Sequence, residues 1–272
     1  MPILYKRYLL IGFIFGIGFA SCNNPTVKEL SVQLNVAPGV DHDTLDEIPV
    51  PIEEVGELEQ YLIDARLVDI QTVSPNTLVE LKYSTVDNFM GFDLYGDLTS
   101  CYLQPDVAEK LKIANEYLQM KDSTLTLLVY DGVRPRSVQQ AMWDTLDMPI
   151  SEKVKFVSNP KKGSLHNFGA AVDLTIAHIE TGEALDMGTP YDFIGIEAYP
   201  MKEKQMLEAG RITQEAVDNR KLLRRSMKEG GFFNIQTEWW HFNSCYRKKA
   251  IELYEMVEGM SDKEAMKTLA AL

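Results

Sequence analysis

The sequence predicts an α+β domain with a central, mainly antiparallel sheet and flanking helices. Two observations carry that expectation. Strand-like and helix-like segments do not alternate one for one, which argues against a Rossmann-type parallel sheet. Hydrophobic residues make up 45% of the 272-residue chain, enough for a sizeable core.

The elements follow in order from about Leu58. Val68 to Val73 and Leu78 to Tyr83 read as strands around a Ser74-Pro75-Asn76 turn. Pro105 to Met120 reads as a helix, because Val107, Leu111, Ala114 and Leu118 fall on one face. Thr124 to Tyr130 alternates and is β-rich, and Ser137 to Leu146 reads as a second helix. Ala170 to Ile176 is expected as a strand, and Thr213 to Glu229 as a charged helix stopped by Gly230-Gly231. Phe232 to Asn243 is expected as a strand, and Ile251 to Leu269 as a helix.

The N-terminus reads as an export signal. Lys6 and Arg7 precede an apolar run from Tyr8 to Ala20 that is short for a membrane span. The run ends at Phe19-Ala20-Ser21-Cys22, which resembles a bacterial lipoprotein signal with Cys22 as the lipidated residue. Plain secretion and a retained anchor are the alternatives. The expected organisation is a signal peptide over 1–21, an acidic tether over 22–57 and a catalytic domain over 58–272. The tether carries eight acidic residues against Lys28, a composition that favours disorder. The protein is thus expected to be exported and lipid-anchored to a bacterial membrane, facing the periplasm or cell exterior. The net charge of −13 argues against a nucleic-acid partner. Cys101 and Cys245 lack zinc-finger spacing; unpaired thiols are the simpler reading, and an exported chain leaves a disulfide open.

The chemistry concentrates in two segments. Ser164-Leu165-His166-Asn167-Phe168-Gly169-Ala170-Ala171-Val172-Asp173 is followed some 65 residues later by Glu238-Trp239-Trp240-His241. Two of the four histidines lie here, each near a carboxylate. His166, Asp173 and His241 make a three-ligand zinc site with one open position. Glu238 is placed to take a proton from water there, with a supporting hydrogen bond to His241 as its alternative role. His166 and Asp173 are an odd number of residues apart, as are Glu238 and His241, so on ideal strands each pair would diverge. A loop around His166 and a bulge or bend at Trp239-Trp240 are therefore expected. His178 and His42 fit no such pattern.

The pattern S-x-H-x-x-G-x-A-x-D with a later E-x-W-H resembles the D-alanyl-D-alanine dipeptidase family, the VanX-type zinc metallopeptidases. Leu81-Lys82-Tyr83, Asp87-Asn88-Phe89, Asp131-Gly132-Val133-Arg134-Pro135 and Asp186-Met187-Gly188-Thr189-Pro190-Tyr191-Asp192-Phe193 carry the same resemblance in the same order. It implies the Hedgehog/D,D-peptidase fold and one Zn2+ per chain. It also implies hydrolysis of D-Ala-D-Ala or a closely related small wall-derived dipeptide. Glu238 would be the general base and Arg134 the oxyanion donor. Asp192 would bind the substrate ammonium with Tyr83, and Ser164 would lie near the substrate carboxylate. Simpler roles remain for the last three: a helix cap for Asp192, a core tyrosine for Tyr83, a turn residue for Ser164. A carboxypeptidase or endopeptidase trimming larger stems, and a non-catalytic wall-peptide-binding lipoprotein, are the other functional readings. The oligomeric state is left open.

Overall fold

Among the described residues five strands form the main sheet, in the order Leu78–Val79, Leu125–Asp131, Ala171–His178, His241–Asn243 and Phe233–Asn234, and one side of it is closed by two long helices. The computed structural model describes residues 55–154 and 156–259. The signal segment, Cys22, His42 and most of the acidic tether lie outside the described residues.

The described part opens with α1 (Glu57–Asp64), which buries Leu58 and Leu62. Then come β1 (Val68–Asp69), α2 (Ile70–Val73), β2 (Leu78–Val79) and β3 (Tyr102–Leu103), with β1 and β3 paired antiparallel as a separate ribbon. The expected strands Val68 to Val73 and Leu78 to Tyr83 are thus only two residues each. In the first, the Asp69 side chain accepts a hydrogen bond from the Gln71 amide and starts a helical turn. In the second, a 3₁₀ turn at Lys82–Ser84 swings Tyr83 into the core.

Next come α3 (Pro105–Lys121) and β4 (Leu125–Asp131), then α4 (Arg136–Thr145), α5 (Ile150–Lys153) and β5 (Ala171–His178). Proline at the first turn of α3 costs no helical hydrogen bond, and Val107, Leu111, Ala114 and Leu118 are buried as the period predicts. The chain ends its described part with α6 (Glu203–Glu208), α7 (Gln214–Glu229), β6 (Phe233–Asn234), β7 (His241–Asn243) and α8 (Arg247–Leu253). The Thr213 hydroxyl caps α7 by accepting from the Ala216 amide.

Strand β2 runs parallel to β4, and every other pair in the sheet is antiparallel. Leu127 and Val129 of β4 and Val172, Leu174 and Ile176 of β5 pack into one core with Leu111, Leu118, Leu223 and Met227 of the helices. Leu128 and Tyr130 alternate to a smaller cluster with Ala177 and Tyr191.

Two terminal expectations are corrected. Phe232 to Asn243 is a hairpin of two short strands, β6 and β7, separated by an irregular loop at 235–240. Among the described residues the last helix runs Arg247–Leu253 and residues 254–259 are not helical, while 260–269 of the expected helix lie outside the described residues. After Leu253 the backbone finds tertiary partners instead. Val257 N–H donates to Asn167 O at 2.7 Å, and the carbonyls of Val257 and Glu258 accept from Arg136 and Ser137 at the start of α4. These bonds satisfy groups that a helix would otherwise pair.

Candidate active site

Strand register aligns the first part of the site. Asp131 of β4 pairs with Asp173 of β5, and Asp173 pairs with His241 of β7. A bulge in β4 between Val129 and Asp131 sets this alignment. His166 reaches the same place from a 3₁₀ turn, His166–Phe168, which precedes β5. Gly169 ends that turn with φ +60°, where a Cβ would crowd the Gln104 amide at 3.2 Å. The irregular turn accounts for the convergence of two residues at odd spacing. Glu238 stands in the loop before β7. Asn234 pins that loop, its side-chain amide donating to Glu238 O at 2.8 Å and His241 O at 2.7 Å. The Glu238 carboxylate lies 3.9 Å from His241 Nδ1.

Three ligand atoms meet. Asp173 Oδ1 is 2.9 Å from His241 Nδ1 and 3.3 Å from His166 Nε2, and the two nitrogens are 3.1 Å apart. Tetrahedral zinc with bonds of roughly 2.0–2.1 Å spaces its ligand atoms by about 3.3 Å. The far ring atoms fix the tautomers. His166 Nδ1 lies 2.7 Å from Gly132 O, and His241 Nε2 lies 2.9 Å from Asn243 Oδ1. Each of these nitrogens donates, so each facing nitrogen presents a lone pair. Two lone pairs and a carboxylate oxygen at such distances repel unless a cation lies among them. The donor set therefore fits a metal ion. Without a metal ion a proton takes that place on Nδ1: burial disfavours a charged His241, but the hydrogen bond and charge of Asp173 outweigh it and hold the ring up at about 9. Burial likewise opposes ionisation of Asp173, yet His166 and His241 hold its carboxyl well below the ordinary range. Gly132 has its own constraint: a Cβ there would sit 2.4 Å from Cys101 Sγ.

Arg134 stands beside this cluster. Its guanidinium donates to Asp131 Oδ2 from Nε at 3.1 Å and Nη2 at 2.5 Å, and Nη2 lies 3.8 Å from Asp173 Oδ2. It stacks 4.9 Å over the Tyr83 ring. Asp131 is fully buried and also accepts from Tyr95 OH at 2.7 Å. The cation is thus held by a carboxylate on one side and an aromatic face on the other. Tyr191 OH donates to Asp173 Oδ2 at 3.0 Å, fixing the carboxylate's other oxygen.

A cavity of about 290 Å³ carries Asp192 and Glu238 in one wall system, with Phe89, Phe156, Ile194 and Trp240 as apolar lining. Tyr83 OH donates to Asp192 Oδ2 at 3.0 Å, so these two predicted residues are together. Asp192 is not a helix cap; it sits in a loop with φ +57°. Burial, then the charge of Asp173, push its carboxyl up to about 8. Burial also pushes the Glu238 carboxyl above its ordinary range, against the pull of His241. Ser164 is placed differently. Its hydroxyl donates to Gln139 Oε1 at 2.9 Å, and its amide donates to Asn167 Oδ1 at 2.6 Å. Asn167 in turn donates to Arg134 O at 2.7 Å, so this network braces the Arg134 and His166 backbones.

Trp239 and Trp240 are both buried; Trp239 Nε1 donates to Thr189 Oγ1, whereas Trp240 also lines the cavity. Cys101 and Cys245 are free thiols. His178 is exposed, and Arg136 pairs with Glu258 at the surface. Sequence reasoning assigned no role to Asp131, Tyr191 or Asn243. The available signals were modest: Asp131 opens the Arg134 motif, Tyr191 precedes Asp192, and Asn243 lies two residues after His241 and so on its strand face.

The family model Peptidase_M15, described as D-ala-D-ala dipeptidase, matches residues 64–255. A D-alanyl-D-alanine dipeptidase of Escherichia coli is 34% identical over 176 residues, covering 65% of this chain and 83% of that protein. One from Enterococcus faecalis is 28% identical, covering 60% of this chain and 83% of its own length. A solved LD-carboxypeptidase is a more distant likeness, at 17% identity and a TM-score of 0.34 over 56% of this chain and 63% of that one. With a His-Asp-His cluster, an adjoining glutamate and a family match spanning most of its length, the chain belongs to the Peptidase_M15 family of metallopeptidases.

Proposed function

We propose that this protein is a zinc-dependent D,D-dipeptidase that hydrolyses D-Ala-D-Ala or a closely related small wall-derived dipeptide. The observation that carries the reading is the placement of Asp192 and Glu238 in one small cavity beside the ligand cluster. A free dipeptide has an ammonium close to its scissile amide. A carboxylate a short way from the reacting centre is the group that recognises it, because a buried ammonium without a partner is costly. A stem peptide has no free amine at that point. The cavity lies at the small end of the range for ligand sites, about 300–1,000 Å³, which suits a dipeptide better than a long chain.

His166, Asp173 and His241 would hold one zinc ion. When bound, zinc supplies Lewis-acid polarisation and lowers the pKa of water to about 7. The chain's own residues do the rest. Glu238 accepts the proton of the attacking water and later delivers it to the departing amine nitrogen, so one carboxyl serves both halves of the reaction. Its elevated proton affinity in this partly buried setting suits it to the second half. Arg134 keeps its charge at all working pH values and offers N–H donors to the negative oxygen that develops at the carbonyl. Asp131 holds that guanidinium in place. Asp192, backed by Tyr83, holds the substrate ammonium and sets the distance to the amide.

The test offers purified protein D-Ala-D-Ala, L-Ala-L-Ala and N-acetyl-D-Ala-D-Ala, with and without a chelator. The expected result is cleavage of the free D,D-dipeptide that chelation abolishes and added zinc restores. Equal cleavage with chelator present would overturn the metal reading.

The site of action is proposed to be outside the cytoplasmic membrane, with the protein held by acyl chains on Cys22. The basic residues, short apolar run and small residues before Cys22 support this. Among the described residues no helix is long and apolar enough to cross a membrane. Cys22→Ser should release active protein from the membrane fraction; persistent membrane association would favour an uncleaved anchor.

A further inference from the structure

Arg220 belongs to no motif of the active site, yet among the described residues it is the largest side chain that is fully buried. It projects from α7, and its fork joins two carbonyls of an earlier segment of the chain. Nε donates to Met187 O at 2.7 Å, and Nη1 donates to Glu197 O at 2.9 Å. These carbonyls are the two ends of one loop, and Asp192 lies five residues from either end. The neighbouring Asn219 adds a bond to Asp186 O at 2.9 Å. The loop is also packed closely onto α7 and the segment just before it: a Cβ on Gly188 would meet Ala216 and Ile212 at 3.1 Å.

The apex of this loop is what needs holding. Asp192 sits in the left-handed region at φ +57°, which a non-glycine residue keeps only when its surroundings enforce it. Tyr191 beside it bonds the metal ligand Asp173. The Arg220 guanidinium also lies 5.8 Å from the Trp239 ring, next to Glu238, and Trp239 reaches back to Thr189 in the same loop. One side chain thus ties the loop that presents Asp192 to the segment that presents Glu238. A purely space-filling role is a poor account of it. Nη2 is buried and has no hydrogen-bond partner among the described residues, and an apolar residue would fill the space without that penalty.

We infer that Arg220 is a positioning residue: it closes the Met187–Glu197 loop so that Asp192 meets the ammonium of a dipeptide substrate. The inference rests on the dipeptidase reading above. Arg220→Lys keeps the charge but has no fork to bridge two carbonyls. In the zinc-loaded enzyme, this variant should lower kcat/KM for D-Ala-D-Ala at least tenfold, chiefly through KM. Cleavage of N-acetyl-D-Ala-D-Ala should fall far less, and zinc content should hold. The preference for the free amine therefore shrinks. Amide hydrogen exchange should quicken in residues 188–196 and not in β5. A general structural role would lower both substrates alike, and that result overturns the inference. If Arg220→Lys does not fold, Asn219→Ala removes one bond at the same loop end and must show the same selective loss, by about threefold. Equal losses, or none, overturn the inference there too. Wild-type enzyme with no preference for the free amine sinks the dipeptidase reading and the clamp with it. A wild-type preference that both variants keep sinks the clamp alone.

Discussion

The ligand cluster and the Asp192 loop hold adjacent parts of one site by opposite means. Asp173 and His241 face each other because β5 and β7 pair in register, and a shift of one residue would turn each to the other side of the sheet. The Asp192 loop has no strand or helix of its own across its apex. Its shape depends on a left-handed residue, a few carbonyl bonds to α7 and one hydrogen bond from Tyr83. Asp173 and His241, two of the three candidate ligands, are thus carried by the ladder, with His166 on the turn that leads into it, and the candidate ammonium-binding residue Asp192 is carried by a loop. The chemistry should therefore be less tolerant of change than recognition.

The ladder side is broken most severely by removing a ligand. His166→Ala, Asp173→Ala and His241→Ala should each lower metal content, measured by elemental analysis of purified protein, and activity should fall with it. Full occupancy in all three would contradict the assignment. A smaller loss separates chemistry from binding of the metal. Glu238→Ala should keep its metal and lose roughly 10²–10⁴-fold in kcat. Near-normal turnover would leave Glu238 only a supporting hydrogen bond to His241.

These two predictions rest on residues that the sequence made visible. His166 and His241 stood out because each of the two had a carboxylate at short spacing, and residue type alone limits what such a set can do. The need for irregular backbone was also legible, from odd spacing, and the 3₁₀ turn at His166 and the loop before His241 meet it. The rest depends on contacts between distant segments. Tyr95 and Asp131 are 36 residues apart, and Arg220 and Met187 are 33 apart. Neither pair has a periodicity to announce it. The long strands expected at Val68 and Leu78 failed for a local reason: Asp69 and Lys82 begin helical turns where apolar content suggested extension.

The loop side has a smaller, pH-dependent signature. In metal-free protein Asp192 binds its proton up to about pH 8, against an ordinary value of 3.8. Between those values the folded chain holds a proton that the unfolded chain has released. Stability contributed by this group is therefore present at low pH and is lost as pH rises towards 8. Asp192→Asn removes that loss. Melting curves of the chelated proteins should show the variant gaining on the wild type by a few degrees from pH 5 to pH 8. A constant difference across that range would mean that Asp192 is ordinary in its titration.

The comparison is tested most directly by one ratio, kcat/KM for D-Ala-D-Ala over kcat/KM for N-acetyl-D-Ala-D-Ala, in wild type and in Asp192→Asn. A charge-assisted hydrogen bond to a buried ammonium is worth about 1.5–3 kcal/mol, and about 1.4 kcal/mol is a factor of ten. The wild-type ratio should therefore be at least about ten, and Asp192→Asn should bring it close to one, mainly by slowing the free dipeptide. If the wild type cleaves the blocked substrate as well as the free one, Asp192 does not read the ammonium. The pocket would then be open at its amine end, and a longer wall peptide would be the better substrate.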